Sequence, residues 1–468
     1  MKPCQRTCRR WASALAMLAL AAGPTIAPGA APERAKDQPP LQPGGAVEKL
    51  EKLLTPTHQQ AAVLLVPRGE GHRPLRTLCV NADGNVLAGC GGKRLGWKLD
   101  GLQKQPYIVT DPGFLHVISP AGKLLASWPT AVTPEATCVD RDSTIYVGGC
   151  GQLAHLDRNG TTLKIAPAPD LTALDPQTRE LLQGRTDNGA AEREAAQEPP
   201  TEADQKAREE RLVQLAKEAR AALDAAHASR LALDRAIAKE DVEAGAAERV
   251  KFEKAIAAHK AAAEEIRRMH LSPDQVAAER CTHALARAAV TGMAIAGEDL
   301  FVACPAAQGP DFDVWRMDRD FGQSKKIVSG LRGCDGHLDI QAGGGELLVA
   351  ENAQHRIARY DRDGKQLGAW GRHDELAIEA FAGQCNPMNL RLAADGSLYT
   401  VEANPGRIKQ YSLRGELLQV VGMPKIVFGY KNTALDISAD GSRVYVLNPV
   451  LSQILVLQRR PDATPPPR

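Results

Sequence analysis

Five cysteines, two glutamates, two asparagines and one histidine are the side chains of this 468-residue chain best suited to share a chemical task. They are Cys90, Cys150, Cys304, Cys334 and Cys385, with Glu351, Glu402, Asn389, Asn448 and His337. Thiolates, carboxylates, amides and an imidazole brought to one place make the donor set of a divalent metal site. Zinc or copper would suit the cysteines and histidine, whereas calcium would need only the oxygen donors. Such an ion could hold a water or polarise a carbonyl, with a glutamate as base. Plainer readings stand beside this one. Cys304 with Cys334, or Cys90 with Cys150, could be disulfides. Glu351 and Glu402 could pair with Arg356 and Arg407, which follow them in the chain, and His337 could be a buried histidine with satisfied hydrogen bonds. The chain has no CxxC or HExxH ligand spacing, no GxxxxGK[ST], no GxSxG and no CxxCH. Serine hydrolase, nucleoside triphosphatase and cytochrome readings are set aside on that ground.

A repeat could gather these residues. Leu347–Trp370 reads LLVAENAQHRIARYDRDGKQLGAW, and Leu390–Gly422 reads LRLAADGSLYTVEANPGRIKQYSLRGELLQVVG. Repeats of about 40 residues with four strands each predict an all-β fold, a six-bladed β-propeller. Blade 1 starts at Arg76, blade 2 at Ala136 and blade 3 at Val290. The two quoted copies with their leading strands are blades 4 and 5, and ALDISADGSRVYVLN opens blade 6. Blade 6 is one strand short, and the orphan strand Ala61–Val66 would complete it and close the ring. A seventh blade could hide in Lys93–Gly113. In a four-stranded blade, the connection from strand 2 to strand 3 shares a face with the connection into the next blade. Cys90, Cys150, Cys304, Glu351, Glu402 and Asn448 then end the second strands. Cys334, Cys385, His337 and Asn389 enter the first strands of blades 4 and 5, and all ring one mouth of the channel. Cys79 and Cys138 take matching places in innermost strands, as small buried apolar groups.

The pattern breaks between blades 2 and 3. Leu212, Leu215, Ala219, Ala222, Ala226, Ser229 and Leu233 have the 3-4 spacing of a coiled-coil seam. Phe252, Ile256, Ala263 and Ile266 suggest a return helix, and Ser272-Pro273-Asp274-Gln275 reads as a capped helix start. An α-helical hairpin inserted here would be either a docking or oligomerisation arm or a solvated insertion. At the N-terminus, Lys2, Arg6, Arg9 and Arg10 precede the apolar Trp11–Ala22 and the small Gly29-Ala30-Ala31, as in a secretory signal. The expected organisation is a signal peptide at 1–31, a Pro-rich linker at 32–58, and the closing strand with blades 1 and 2 at 59–170. The helical insertion follows at 171–283, blades 3 to 6 at 284–460, and a disordered tail at 461–468. A periplasmic or secreted protein is expected, touching membrane only through an uncleaved signal. Disulfides among the eight cysteines outside the signal are then expected too. A net charge of +2 and 4% aromatic residues offer no nucleic-acid surface.

Ala350-Glu351-Asn352-Ala353-Gln354-His355-Arg356-Ile357 followed by Tyr360-Asp361-Arg362-Asp363-Gly364 resembles the NHL repeat, and Asn404-Pro405-Gly406-Arg407-Ile408 has the same register. More loosely the chain resembles the gluconolactonase/regucalcin-like superfamily. The resemblance covers Leu338–Gly422 well and the helical region not at all. It implies a structural role for His355. It also implies a divalent ion at the mouth, held here by Glu351 or Glu402 with Asn389 and Asn448; the cysteines depart from that pattern. Two functions follow. The leading one is an exported, non-catalytic module binding a protein or small-molecule ligand at the mouth, its helical arm contacting a partner. The alternative is a metal-dependent hydrolase or lyase.

Overall fold

The computed structural model describes residues 54–67, 74–100, 103–169, 171–183, 202–238, 241–334, 336–403, 406–426 and 433–463. The expected signal peptide, most of the expected linker and the end of the tail lie outside them. Alternating apolar strands separated by Asp/Gly turns build six four-stranded antiparallel sheets. Sheet 1 comprises Leu75–Val80, Val86–Cys90, Gly113–Ile118 and Leu124–Thr130; sheet 2, Ala136–Val139, Ile145–Gly149, Gln152–Leu156 and Thr162–Pro167. Sheet 3 comprises Gly292–Ala296, Asp299–Pro305, Phe312–Asp318 and Lys325–Leu331; sheet 4, Asp339–Gly343, Glu346–Glu351, Arg356–Asp361 and Gln366–Trp370. Sheet 5 comprises Asn389–Leu392, Leu398–Glu402, Arg407–Tyr411 and Leu417–Gly422; sheet 6, Leu435–Ile437, Arg443–Asn448 and Gln453–Arg459, with His58–Leu65 outermost. The first strands touch in the cyclic order 1-2-3-4-5-6-1. The sheets therefore stand radially around a hub, which is a β-propeller.

His58–Leu65, the orphan strand of the sequence, lies antiparallel to Gln453–Arg459 with His58 opposite Arg459 and Leu65 opposite Gln453. It covers an edge whose amides and carbonyls would otherwise be open to a second chain. Lys93–Gly113 is not a further blade: Lys93–Asp100 and Gln103–Thr110 form a separate two-stranded hairpin.

Apolar clusters fill the seams between neighbouring sheets. Leu87, Leu115, Ile145 and Val147 pack between sheets 1 and 2; Ala303, Phe312, Leu338 and Val349 pack between sheets 3 and 4. Two tryptophans show how tightly the outer seams close. Trp128 of sheet 1 lies on Gly160 in a turn of sheet 2, and Trp370 of sheet 4 lies on Gly415 in a turn of sheet 5. Both glycines have positive φ, 81° and 90°, and a Cβ would fall 2.1 and 2.6 Å from the indole atoms. Only glycine satisfies both the turn and the contact.

Between sheets 2 and 3 run α1 (Pro176–Leu182), α2 (Glu202–Ala238), α3 (Val242–His270) and α4 (Pro273–Arg287). The α2 seam matches its spacing: Leu215, Ala219 and Ala226 are buried, and Leu215 and Ala219 pack with Ala262, Ile266 and Met269 of α3. Small residues let the antiparallel helices approach closely enough for His259 Nδ1 to bond the Ala219 carbonyl at 2.9 Å. The capping box at Ser272 and Gln275 is formed. Cys281 and Ala284 of helix α4, with Ala288 just after it, then pack against Ile108 of the hairpin, Leu182 of α1 and Leu174 before it. No helix among the described residues is long and apolar enough to cross a membrane.

Candidate functional site

The channel through the hub opens on two unlike faces. One carries the connections into each first strand and every long excursion: the hairpin at 93–110, the helices, and the loop at 371–388. We term it the insertion face. The other carries tight turns in which Asp157, Asp318 and Asp361 accept amides two and four residues ahead; this is the turn face. A cavity of about 290 Å³ lies at the insertion end of the hub and a wider one of about 1200 Å³ at the turn end.

The hub is built from first strands whose inner edges have no strand partner. Their amides and carbonyls need other partners. Around half of the ring, polar side chains reach from one first strand to the next. His337 Nε2 bonds the Met388 carbonyl at 3.0 Å, and Leu390 N–H donates to Asp339 at 2.7 Å. Leu435 N–H donates to Asn389 at 2.9 Å, and Val80 N–H to Asp436 at 2.7 Å. Arg391 joins the last of these, its Nε 2.6 Å from Asp436 Oδ1. Burial drives the electrostatics of this group. It holds His337 down to about 4 and pushes Asp339 up to about 7, against the pull of the Leu390 and Ile340 amides and Arg391. Asp436 is likewise raised by burial, with Arg391 and the Val80 and Ile437 amides opposing.

The structure assigns the candidate residues to different tasks. His337 and Asn389 line the narrow cavity and are staples between sheets. Glu351 and Glu402, 2% and 0% exposed, are held in ion pairs. Glu351 receives Arg356 at 2.5 Å, and Glu402 receives Arg407 at 2.8 Å and Lys409 Nζ at 2.7 Å. Glu351 also accepts Arg332 N–H and Glu402 accepts Ala382 N–H, anchoring the loops that enter sheets 4 and 5. Asn448 Oδ1 takes Leu451 N–H at 3.5 Å, while its buried Nδ2 has no partner among the described residues. Cys334 and Cys385 form a disulfide between those two entry loops.

The cysteine reading needs correction at the other three positions. Cys90, Cys150 and Cys304 are thiols outside any disulfide. Cys90 packs in the core between sheets 6 and 1, and Cys304 in the core between sheets 2 and 3. Each turns into a seam, away from the partner weighed for it. Cys150, in the left-handed region at φ 46°, gives its N–H and Sγ–H to Glu135 at 3.0 and 3.6 Å. Burial and the Glu135 charge push its thiol well up, so it is no thiolate at neutral pH. No three or more of His, Cys, Asp and Glu among the described residues are grouped to hold a metal ion. Glu351 and Glu402 already hold backbone amides and cations, Asn389 and Asn448 hold backbone amides, and His337 holds a carbonyl.

Sequence reasoning missed Glu135, Asp339, Arg391 and Asp436. Glu135 is half-buried, its carboxyl raised by desolvation, and it accepts Val290 N–H at 3.1 Å as well as Cys150. A signal existed for the others. Leu338-Asp339-Ile340 and Leu435-Asp436-Ile437 each place an acid between two apolar residues, at the start of one innermost strand and in the middle of another. Cys79 and Cys138 occupy the positions of sheets 1 and 2 equivalent to Asp436. Both are buried, with thiols raised by burial, Cys138 to about 12.

No family profile matches the chain, and no curated protein matches it in sequence. Among solved structures, the Neurospora crassa Pan2 WD40 domain aligns at TM-score 0.41 and 9% identity, over 89% of this chain and 99% of that one. Virginiamycin B lyase from Staphylococcus aureus, in a catalytically inactive form with quinupristin, aligns at TM-score 0.39 and 10% identity, over 85% and 98%. A Cps50 (Swd1) β-propeller domain aligns at TM-score 0.37 and 11% identity, over 86% and 99%. Likeness at this level adds no argument. The propeller assignment rests on strand order and on the closed ring of first strands.

Proposed function

We propose that this chain is an exported, six-bladed, NHL-like propeller acting as a non-catalytic binding module, with its insertion face and helical arm as the partner-contacting surface. One observation carries the reading: all the long excursions leave the same face, and two of them pack on one another. The hairpin at 93–110, α1 and α4 share one apolar cluster, from which α2 and α3 extend as an antiparallel pair. Rigid scaffolds commonly gather binding elements on one face in this way. The arm displays Val213, Leu231 and Val250 at 55%, 45% and 65% exposure amid charged residues. Export is supported by the signal-like opening residues and by the Cys334–Cys385 disulfide, which an oxidising compartment sustains. The metal-dependent hydrolase reading loses its support, because Glu351 and Glu402 are committed to cations and backbone amides.

Photocrosslinking in the native cell tests this. A crosslinker at Val213 or Val250 is expected to trap a discrete partner, or a second copy of the chain, while one at Asn159 or Asp363 on the turn face traps none. Trapping from the turn face alone would overturn the proposal.

A further inference from the structure

Helix α2 turns one face to α3 and leaves the opposite face to solvent. Val213 and Leu231, 55% and 45% exposed, stand eighteen positions apart on that open face. The spacing is about five helical turns, so both lie on one line along the helix, about 27 Å from end to end. Ala216, Arg220, Asp224 and Ala228 are exposed between them, each within about 60° of that line. These six residues form a stripe that is self-complementary about Ala222. Counted outwards from Ala222, Arg220 answers Asp224, Ala216 answers Ala228 and Val213 answers Leu231. Such a pattern matches a copy of itself only when the copy runs antiparallel. A parallel copy would set Arg220 on Arg220 and Asp224 on Asp224.

We propose that two copies of this chain pair through the stripe, α2 against antiparallel α2 about a two-fold axis passing Ala222, which rests on the arm being the partner-contacting surface and makes that partner a second copy. Within one chain, Arg220 Nε lies 3.1 Å from Asp224 Oδ2 in an exposed pair. In the dimer each Arg220 also faces Asp224 of the second copy, so four charges alternate at the centre of the interface. Ala216 and Ala228 leave the two backbones room to approach, and Val213 covers Leu231 of the second copy at both ends. Glu210 and Arg235, exposed on one side of the stripe, fall level across the pair with opposite charge. On the other side Glu209 falls level with Asp234, an acid that Arg230 already holds at 3.1 Å. An isologous contact along one helix is small and largely polar, so the association is reversible and weakens with salt.

Analytical ultracentrifugation of the full mature chain is expected to show a monomer–dimer equilibrium that added salt shifts towards monomer. Arg220→Asp sets like charges at the centre and should weaken the dimer about tenfold or more, whereas Arg220→Asp/Asp224→Arg restores opposite charges and should return it to within about threefold of the parent. Circular dichroism checks that both variants keep their helix. Mild oxidation reads the orientation. Val213→Cys/Leu231→Cys should give disulfide-linked dimers and Val213→Cys alone none, because its two copies sit about 27 Å apart. The proposal fails if the chain is monomeric at every concentration, if Arg220→Asp dimerises as tightly as the parent, or if the charge exchange does not restore the dimer. It fails equally if Val213→Cys alone crosslinks as well as the double variant. A monomeric chain whose Val213 crosslinker still traps a different protein in the cell would sink the dimer and leave the binding-module reading standing.

Discussion

The two halves of the hub solve one problem in different ways. From sheet 4 through sheet 6 to sheet 1, each first strand is tied to the next by a buried polar side chain: His337, Asp339, Asn389 or Asp436. From sheet 1 through sheet 3, the corresponding strand positions hold Cys79, Cys138, Gly292 and Ala294, and the seams close by apolar contact. The acid on that side, Glu135, comes from a connection and not from a strand. A polar staple fixes angle and register but costs desolvation, whereas an apolar seam tolerates adjustment. The adaptable half is also the half beside which the hairpin and helices are built. The propeller thus sets its most elaborate accessory structure next to its least constrained seams.

The largest test of this contrast is Asp436→Ala. It strands Arg391 and two buried amides, and should cost about 3–5 kcal/mol in urea unfolding. Cys138→Ala at the matching position should cost only about 1–2 kcal/mol. Equal losses would erase the distinction between the halves. Next in size is pH. The folded-state pKa of Asp339 is raised to about 7, so its contribution is present below the ordinary carboxylate range and is lost as pH rises from about 4 to 7. The slope is bounded at about 1.4 kcal/mol per pH unit. Asp339→Asn keeps an acceptor for Leu390 N–H and should flatten the fall of melting temperature across that range.

His337 works in the opposite direction. Its pKa is lowered to about 4, so its contribution is present above about 6.5 and is lost as pH falls towards 4. His337→Gln should reduce the acid-side loss and leave the alkaline side unchanged. The smallest expected effect lies in the thiol half. Cys79, Cys138 and Cys150 are buried with raised pKa values, so iodoacetamide at pH 8 should leave them unmodified until the chain unfolds. Peptide mapping should then recover Cys334 and Cys385 linked to each other. Rapid native alkylation of Cys138 would show that its seam opens.

Strand spacing and Asp/Gly turns made the architecture readable in the sequence, including the unusual pairing of Ala61–Val66 with the last sheet. His337 and Asn389, which that reading set at one mouth of the channel, line the narrow cavity. Side-chain direction was beyond that reading. A strand alternates its faces, so one residue of register decides which of the two neighbouring seams Cys90 or Cys304 enters. Both meet seams, and the disulfide forms between the facing entry loops at Cys334 and Cys385 instead. Ionic commitments were equally hidden. That Arg356 and Arg407 follow Glu351 and Glu402 was visible, but the burial that makes those pairs obligatory arises only when the loops fold down on them. Arg391 escaped notice because an arginine within a short strand ordinarily points to water.

The strand His58–Leu65 has a kinetic consequence. It docks on residues nearly four hundred positions later, so the last sheet cannot be completed until both ends of the chain have been delivered. The entropy of closing so long a loop grows only logarithmically, yet contacts this distant in sequence slow folding. Until they meet, the newly made polypeptide holds an unsatisfied β-edge at each extremity. A shortened or clipped chain that loses either extremity would keep one such edge permanently, ready to pair with its neighbour in solution.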